Sequence, residues 1–201
     1  MFLLVVRNKN LIPVMQKMMG EQVTFFALGA GHLGKIHLKC IQLAQEHYEL
    51  VGFYDAAADN SQKVAADLGV TPFSSAEALM AAVDVVDIVN PTTTHFELAK
   101  AAILAGKHGL IEQPLTQTPA EAKELLDLRQ KKGIKIQVGH VERFNPALLA
   151  LGEMKIQPMF IEAHRLATFN PRGTDVSVVL DLMIHDLDIV LSMVDAPVKT
   201  V

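Results

Sequence analysis

The chain has 201 residues, 50% of them hydrophobic and 20% charged, with a formal net charge of −4. That balance excludes a disordered chain, which is poor in apolar residues. The lack of a long basic run argues against a nucleic-acid partner. A single cysteine, Cys40, excludes an internal disulfide and a zinc site built on several cysteines, and it fits a reducing cytoplasm.

The apolar run Phe2 to Val6 stops at Arg7, short of the ~7–15 apolar residues of a secretory signal. No stretch approaches the ~18 apolar residues of a membrane span. A soluble cytoplasmic protein with no membrane contact is expected. Residues 1–20 read as an extension ahead of the first strong pattern.

From residue 22 onward, strand and helix signals alternate. Val23 to Leu28 is an apolar strand ending in glycine, and Lys35 to His47 has helical spacing. Leu50 to Tyr54 is a second strand, closed by Asp55. Asn60 to Leu68 is helical, with Asn60 or Ser61 as its cap. Val70 to Phe73 reads as a third short strand, and Ser75 opens a helix through Ala82. Val85 to Val89 is strand-like and broken by Pro91. A helix follows over Thr94 to Ala105, then a strand over His108 to Ile111. Pro119 starts a helix to Lys132, and Ile134 to Val138 is one more strand.

Short apolar strands separated by amphipathic helices predict a doubly wound parallel α/β sheet of Rossmann type over residues 21–140. Residues 141–201 read as the start of a second α/β domain, expected to be truncated. Asn145 to Leu151 is expected to be helical, Pro158 to Ala167 a strand, and Val176 to Val194 a long helix.

Gly29-Ala30-Gly31-His32-Leu33-Gly34 has the G-x-G-x-x-G pattern, after a strand and at the head of a helix. Such a turn brings backbone amides, including those of His32 and Leu33, up to a pyrophosphate, and the helix N-terminus favours its charge. Asp55 ends the next strand, about 20 residues further on, where an acid accepts hydrogen bonds from the adenosine ribose diol. A 2′-phosphate there would meet the charge of Asp55, with no Arg or Lys before Lys63 to neutralise it. The pattern favours NAD over NADP.

Further motifs share one order: Val89-Asn90-Pro91-Thr92-Thr93-Thr94-His95, then Glu112-Gln113-Pro114, Gly139-His140, and Asp181 to Asp186. In order and spacing the chain resembles the Gfo/Idh/MocA oxidoreductases from residue 22 to its end. The resemblance implies a Rossmann domain followed by an α/β domain with an open, mostly antiparallel sheet. It implies cofactor contacts from Asn90, Pro91, Thr92, His95 and Glu112. Full-length members are expected to form homo-oligomers through the second sheet, which this chain is not expected to complete. Val141 to Pro146 and Phe169 to Arg172 look most like nucleotide-sugar dehydrogenases of the UDP-N-acetylglucosamine 3-dehydrogenase type.

Asp181, His185 and Asp188 stand at i, i+4 and i+7 within a segment apolar almost all round, which predicts a buried helix with one polar stripe. Buried carboxylates need a partner or a cavity. Asp181 would fix the tautomer of His185, and His185 would take the proton of a sugar hydroxyl. The resemblance places the family's D-x-x-x-H pair on the same two residues. The alternative is a histidine that only closes a hydrogen-bond network. No second histidine stands at ligand spacing in this helix, so no metal is expected.

The family's usual tripeptide is Glu-Lys-Pro, its lysine beside the nicotinamide and the reacting hydroxyl. Here the middle residue is Gln113. Glutamine still donates hydrogen bonds but carries neither the cation nor a labile proton, and an acid–base group contributes ~10²–10⁴-fold in rate. Slowed catalysis with retained cofactor binding is one expectation; the other is that His185 suffices. Arg143 and Arg172 suit a diphosphate, and Asn145 suits sugar hydroxyls or a turn before Pro146.

The expected function is NAD-dependent hydride transfer from a sugar hydroxyl carbon, in a UDP-sugar such as UDP-N-acetylglucosamine. The alternatives are a free sugar, an inositol or a dihydrodiol as substrate, or a catalytically impaired NAD(H)-binding protein.

Overall fold

A computed structural model describes residues 23–151, 154, 156–166 and 176–201. The chain divides into two compact units, with the boundary between Gly139 and His140. The extension read over residues 1–20 lies outside the described residues, as do Asn170 and Arg172.

The first unit is a five-stranded sheet, parallel throughout, in the order β2-β1-β3-β4-β5. Its elements in chain order are β1 (Val23–Leu28), α1 (His32–Leu43), β2 (Tyr48–Tyr54), α2 (Ala58–Leu68), α3 (Ala76–Ala81), β3 (Val85–Ile88), α4 (His95–Leu104), β4 (His108–Ile111), α5 (Pro119–Lys132) and β5 (Ile136–Val138). A parallel sheet is covered on both faces, so its central strands are apolar throughout rather than alternating. All four residues of β3 are buried, and of the six in β1 only Thr24 is not.

The pleat sorts the core into two layers. Phe26 and Leu28 of β1 join Val86, Ile88 and Ile111 against Leu79, Ala99, Ile103 and Leu125. On the other face, Ala27 and Phe53 meet Leu38, Val64 and Val70. Burying each large apolar side chain contributes roughly 1.5–3 kcal/mol. The two layers are the doubly wound arrangement that the alternating pattern predicts.

Local signals set the element ends. Thr118 caps α5: its side chain accepts the Glu121 N–H at 3.3 Å, and Glu121 Oε2 accepts the Thr118 N–H at 3.0 Å. Pro119 follows at the first helical position and Gly133 closes the helix in a left-handed conformation. At the amino rim of the sheet, Asp84 Oδ2 accepts from both the N–H and the hydroxyl of Thr24, at 3.1 and 2.6 Å. There too, the Lys135 N–H donates to His108 Nδ1 at 3.1 Å.

Two expectations change here. The strand over Val70 to Phe73 shrinks to a single parallel bridge between Phe53 and Pro72. The Phe53 N–H donates to Thr71 O and the Phe73 N–H to Phe53 O, and Pro72 between them presents no N–H on its outer side, as suits the edge of a sheet. Helix α1 begins at His32 rather than Lys35, because it opens directly from the glycine turn.

In the second unit a 3₁₀ turn, Val141–Phe144, leads into the short helix α6 (Pro146–Leu149). A π-helical turn, Val179–Met183, leads into α7 (Ile184–Met193). Residues 156–166 form no strand, contrary to the expectation for Pro158 to Ala167. A strand needs a neighbour for its backbone groups, and among the described residues this stretch has none. The long helix is not buried either. Val178, Val179, Met183, Leu187, Leu191 and Val194 are exposed, and the other apolar residues of the segment are half-buried. An apolar stripe is buried only where another layer lies against it, but among the described residues the 3₁₀ turn Val141–Phe144 and the stretch around Ala163 and Arg165 lie beside this one.

Candidate cofactor and substrate site

The carboxyl ends of β1, β2, β3, β4 and β5 carry, in turn, Gly29, Asp55, Val89 with Asn90, Glu112 and Gly139. Open parallel sheets receive ligands at this rim, where the strand order reverses about β1.

The glycine turn is built for close approach. Gly29 has φ +89°, and a Cβ there would stand 3.0 Å from Val89 O and 3.2 Å from Asn90 Cγ. A Cβ on Gly34 would run into the Gly29 backbone, 2.9 Å from its carbonyl carbon, so helix and turn pack in contact. Gly31 is the N-cap of α1 and makes no side-chain cap. The space where its Cβ would be is open, with nothing within 4 Å. The first-turn N–H groups of α1 have no intrahelical acceptor. This cradle fits the pyrophosphate of a dinucleotide.

Asp55 is wired into the turn. Its Oδ2 accepts the Ala30 N–H and Asn60 Nδ2, both at 2.9 Å, and its Oδ1 accepts the Ala57 N–H at 2.9 Å. A carboxylate has about four acceptor sites, so capacity remains for a ribose diol. Asn60 also donates to Ala30 O at 3.0 Å, fastening α2 to the glycine turn. Asn60 or Ser61 is the cap expected from the sequence. The cap position is instead Ala57, and Asn60 points at Asp55.

Beyond β3, Asn90 Oδ1 is buried without a hydrogen-bond partner, and Thr92 is buried in the 3₁₀ turn Thr92–Thr94. Pro91 is exposed beside them. His95 is buried at 1% exposure. Its Nδ1 lies 2.9 Å from Pro114 O and its Nε2 2.9 Å from Asn90 O. The ring therefore ties the loop after β3 to the loop after β4, where Gln113 is half-buried and the Gln113–Pro114 peptide is cis.

Below that rim is a cluster the sequence reading did not find. His37 of α1 is 1% exposed; its Nδ1 is 2.9 Å from Asp87 Oδ2 and its Nε2 3.3 Å from Glu112 Oε1. Burial opposes a charge on His37, but the charges and hydrogen bonds of Asp87 and Glu112 outweigh it and hold the ring up at about 9. Asp87 is fully buried in the middle of β3, and burial pushes its carboxyl up while His37 pulls it down. One signal was legible: an acid inside the apolar run Val85 to Val89 needs a buried partner.

In the second unit, Arg143 grips Asp188 in a bidentate pair, Nε to Oδ2 and Nη2 to Oδ1, both 2.6 Å. His140 Nδ1 stands 3.9 Å from the same carboxylate. Asp188 therefore has the partner that its place on the stripe requires. Arg165 holds Asp186 in the same way at 2.8 Å, keeping that carboxyl below the usual range. Asn145 caps α6 by accepting the Ala147 N–H at 3.0 Å, and its Nδ2 donates to Glu142. Asp181 falls in the π-helical turn and His185 in the first turn of α7, both half-buried. Single π turns recur at functional sites. Among the described residues no three His, Cys, Asp or Glu side chains cluster as metal ligands.

Sheet topology, glycine cradle and the acid at the end of β2 together define a dinucleotide-binding protein of Rossmann type. The chain belongs to the Gfo/Idh/MocA oxidoreductase family with an NAD-binding Rossmann fold, whose family model matches residues 23–140. NAD is the cofactor of this family, and the cradle fits it. A UDP-N-acetylglucosamine 3-dehydrogenase from Acidithiobacillus ferrooxidans is 41% identical over 170 residues, 84% of this chain and 53% of that protein. Its solved structure superposes with TM-score 0.80 at 40% identity, covering 89% of this chain and 59% of that one. A scyllo-inositol 2-dehydrogenase (NAD(+)) from Bacillus subtilis is 29% identical over 91% of this chain and 57% of its own length. The WlbA dehydrogenase from Bordetella pertussis, solved with NADH and UDP-GlcNAcA, has TM-score 0.61 at 25% identity, over 65% of this chain and 41% of that one. The chain thus spans about half the length of the curated relatives it matches. No helix among the described residues is long and apolar enough to cross a membrane.

Proposed function

We propose that this chain serves an NAD-dependent dehydrogenase reaction on a nucleotide-activated amino sugar such as UDP-N-acetylglucosamine, in the cytoplasm. The observation that carries the cofactor half is the open cradle at Gly31 beside Asp55. The substrate half is supported by the 41% identity to a UDP-N-acetylglucosamine 3-dehydrogenase.

In this reading the backbone of Gly31, His32 and Leu33 holds the pyrophosphate, and Asp55 holds the adenosine ribose. Asn90, Pro91, Thr92, His95 and Glu112 line the rest of the cofactor path. NAD supplies the hydride acceptor. His185 takes the proton of the sugar hydroxyl while the hydride leaves the same carbon, so that the alcohol becomes a ketone. Asp181, one helical turn away, serves to hold His185 in one tautomer. Arg143 and Arg172 are assigned to the diphosphate by their chemistry, and Asn145 to the sugar. With its Nε edge engaged by Asp188, Arg143 offers phosphate its Nη1 side.

Gln113 supports a second reading, an NAD(H)-binding protein with little turnover, because the cation usual at this position is missing. The test is NADH formation from NAD and UDP-N-acetylglucosamine by the parent and by Gln113→Lys. The expected result is slow turnover in the parent and a rise of ~10²-fold or more in the variant. Equal rates make the cation dispensable. Turnover in the variant alone assigns the parent to binding or sensing. Silence from both, with turnover on an inositol, a free sugar or a dihydrodiol, moves the substrate to that class.

A further inference from the structure

The His37–Asp87–Glu112 cluster joins three separate elements beneath the ligand rim. Asp87 is in the centre of β3, and its Oδ2 anchors His37 Nδ1 at 2.9 Å. The opposite ring nitrogen faces Glu112 Oε1 at 3.3 Å. Glu112 Oε2 in turn accepts the backbone N–H of Gln113 at 3.3 Å. The far side of the Glu112 carboxylate is closed by Gly139, where a Cβ would stand 2.6 Å from Glu112 Cδ. The Gly139 N–H donates to Ile111 O at 2.8 Å and the Glu112 N–H to Ile88 O at 3.0 Å, so both walls are fixed by the sheet.

The cluster is costly to build. Asp87 is 0% exposed and its Oδ1 has no hydrogen-bond partner. Buried charges of this kind are often no more stabilising than well-packed apolar residues. Shape alone would be met by an apolar trio at these positions. What an apolar trio would not provide is an acceptor for the Gln113 N–H, held rigidly from behind.

We propose that His37 is a positioning residue: clamped by Asp87, it holds the Glu112 carboxylate against Gly139 and, through the Gln113 N–H, fixes the backbone of residue 113 at the rim where the sheet receives NAD. The inference rests on NAD binding alone and does not depend on which sugar, if any, is oxidised. The titratable groups facing His37 are Asp87 from β3 and Glu112 from the end of β4. Loss of the ring's proton removes the cation between them and slackens the hold on Glu112.

The test is an NMR titration of ¹⁵N-labelled protein, full chain, without ligand. The Gln113 amide resonance is expected to move with the ring resonances of His37, with a midpoint near pH 9. The Ala30 amide, bonded to Asp55, is the internal control and is expected to stay fixed. In His37→Gln the Gln113 amide is expected to lose its titration. In parallel, calorimetry with NAD at pH 8 and pH 10 is expected to show affinity falling several-fold in the parent and equal at the two pH values in the variant. A Gln113 amide that stays still while the His37 ring titrates overturns the proposal. So does a His37→Gln protein whose NAD affinity matches the parent at both pH values. If that variant does not fold, the titration of the parent decides. A purely structural His37 would lower the melting temperature on substitution without coupling its proton to the amide of residue 113.

Discussion

The carboxylate of Glu112 occupies the space in which a side chain at residue 139 would begin, 2.6 Å from Glu112 Cδ to the position of a Cβ on Gly139. The first prediction follows. Gly139→Ala forces Glu112 off His37 or moves the end of β5, and overpacking of this kind costs about 1–3 kcal/mol. Calorimetric melting is expected to show a loss of several degrees, together with weaker NAD binding. Gly133→Ala, in a left-handed turn remote from this rim, is expected to cost stability without changing NAD affinity.

Asp55 makes the second prediction. Its carboxylate accepts three hydrogen bonds and faces the position expected of the adenosine ribose. The parent is expected to bind NAD more tightly than NADP, by about tenfold or more, because a 2′-phosphate meets an ionised acid. Asp55→Ser combined with Ala56→Arg is expected to reverse the order. Titration of the two reduced cofactors by fluorescence measures both ratios.

The third prediction concerns alkaline stability. His37 rises from 6.5 in the unfolded chain to about 9 in the folded one. The folded state therefore holds the extra proton between those values, and stability falls as pH rises through the interval. The contribution is present in full below about pH 6.5 and lost above about pH 9. Urea unfolding of the parent is expected to show a midpoint that declines across this window, and His37→Gln is expected to flatten the decline.

Much of the fold was legible because its signals are local. β4 and α5 fall on the predicted bounds, His108–Ile111 and Pro119–Lys132, since Pro119 and Gly133 punctuate that helix within a few residues. The cradle was legible too, because its glycines and Asp55 follow a fixed order along one strand-turn-helix-strand unit. What failed was what depends on distant partners. Pro158 to Ala167 has strand composition, but a strand requires a neighbour that composition does not reveal. Val176 to Val194 is apolar enough for a core helix, yet burial is decided by the layer opposite. His37 and Asp87 lie 50 positions apart and read singly as a helix residue and a strand residue. Only the parallel pairing of β1 with β3 brings α1 over Asp87.

The sheet's two rims divide their labour. The amino rim is stitched by Thr24 to Asp84 and by Lys135 to His108, contacts that involve none of the residues facing the ligand. The carboxyl rim holds the residues proposed for the cofactor path. Durability and chemistry are thus written on opposite edges of one scaffold, and a search for hardier versions of this protein has a free hand on the first edge while leaving the second untouched.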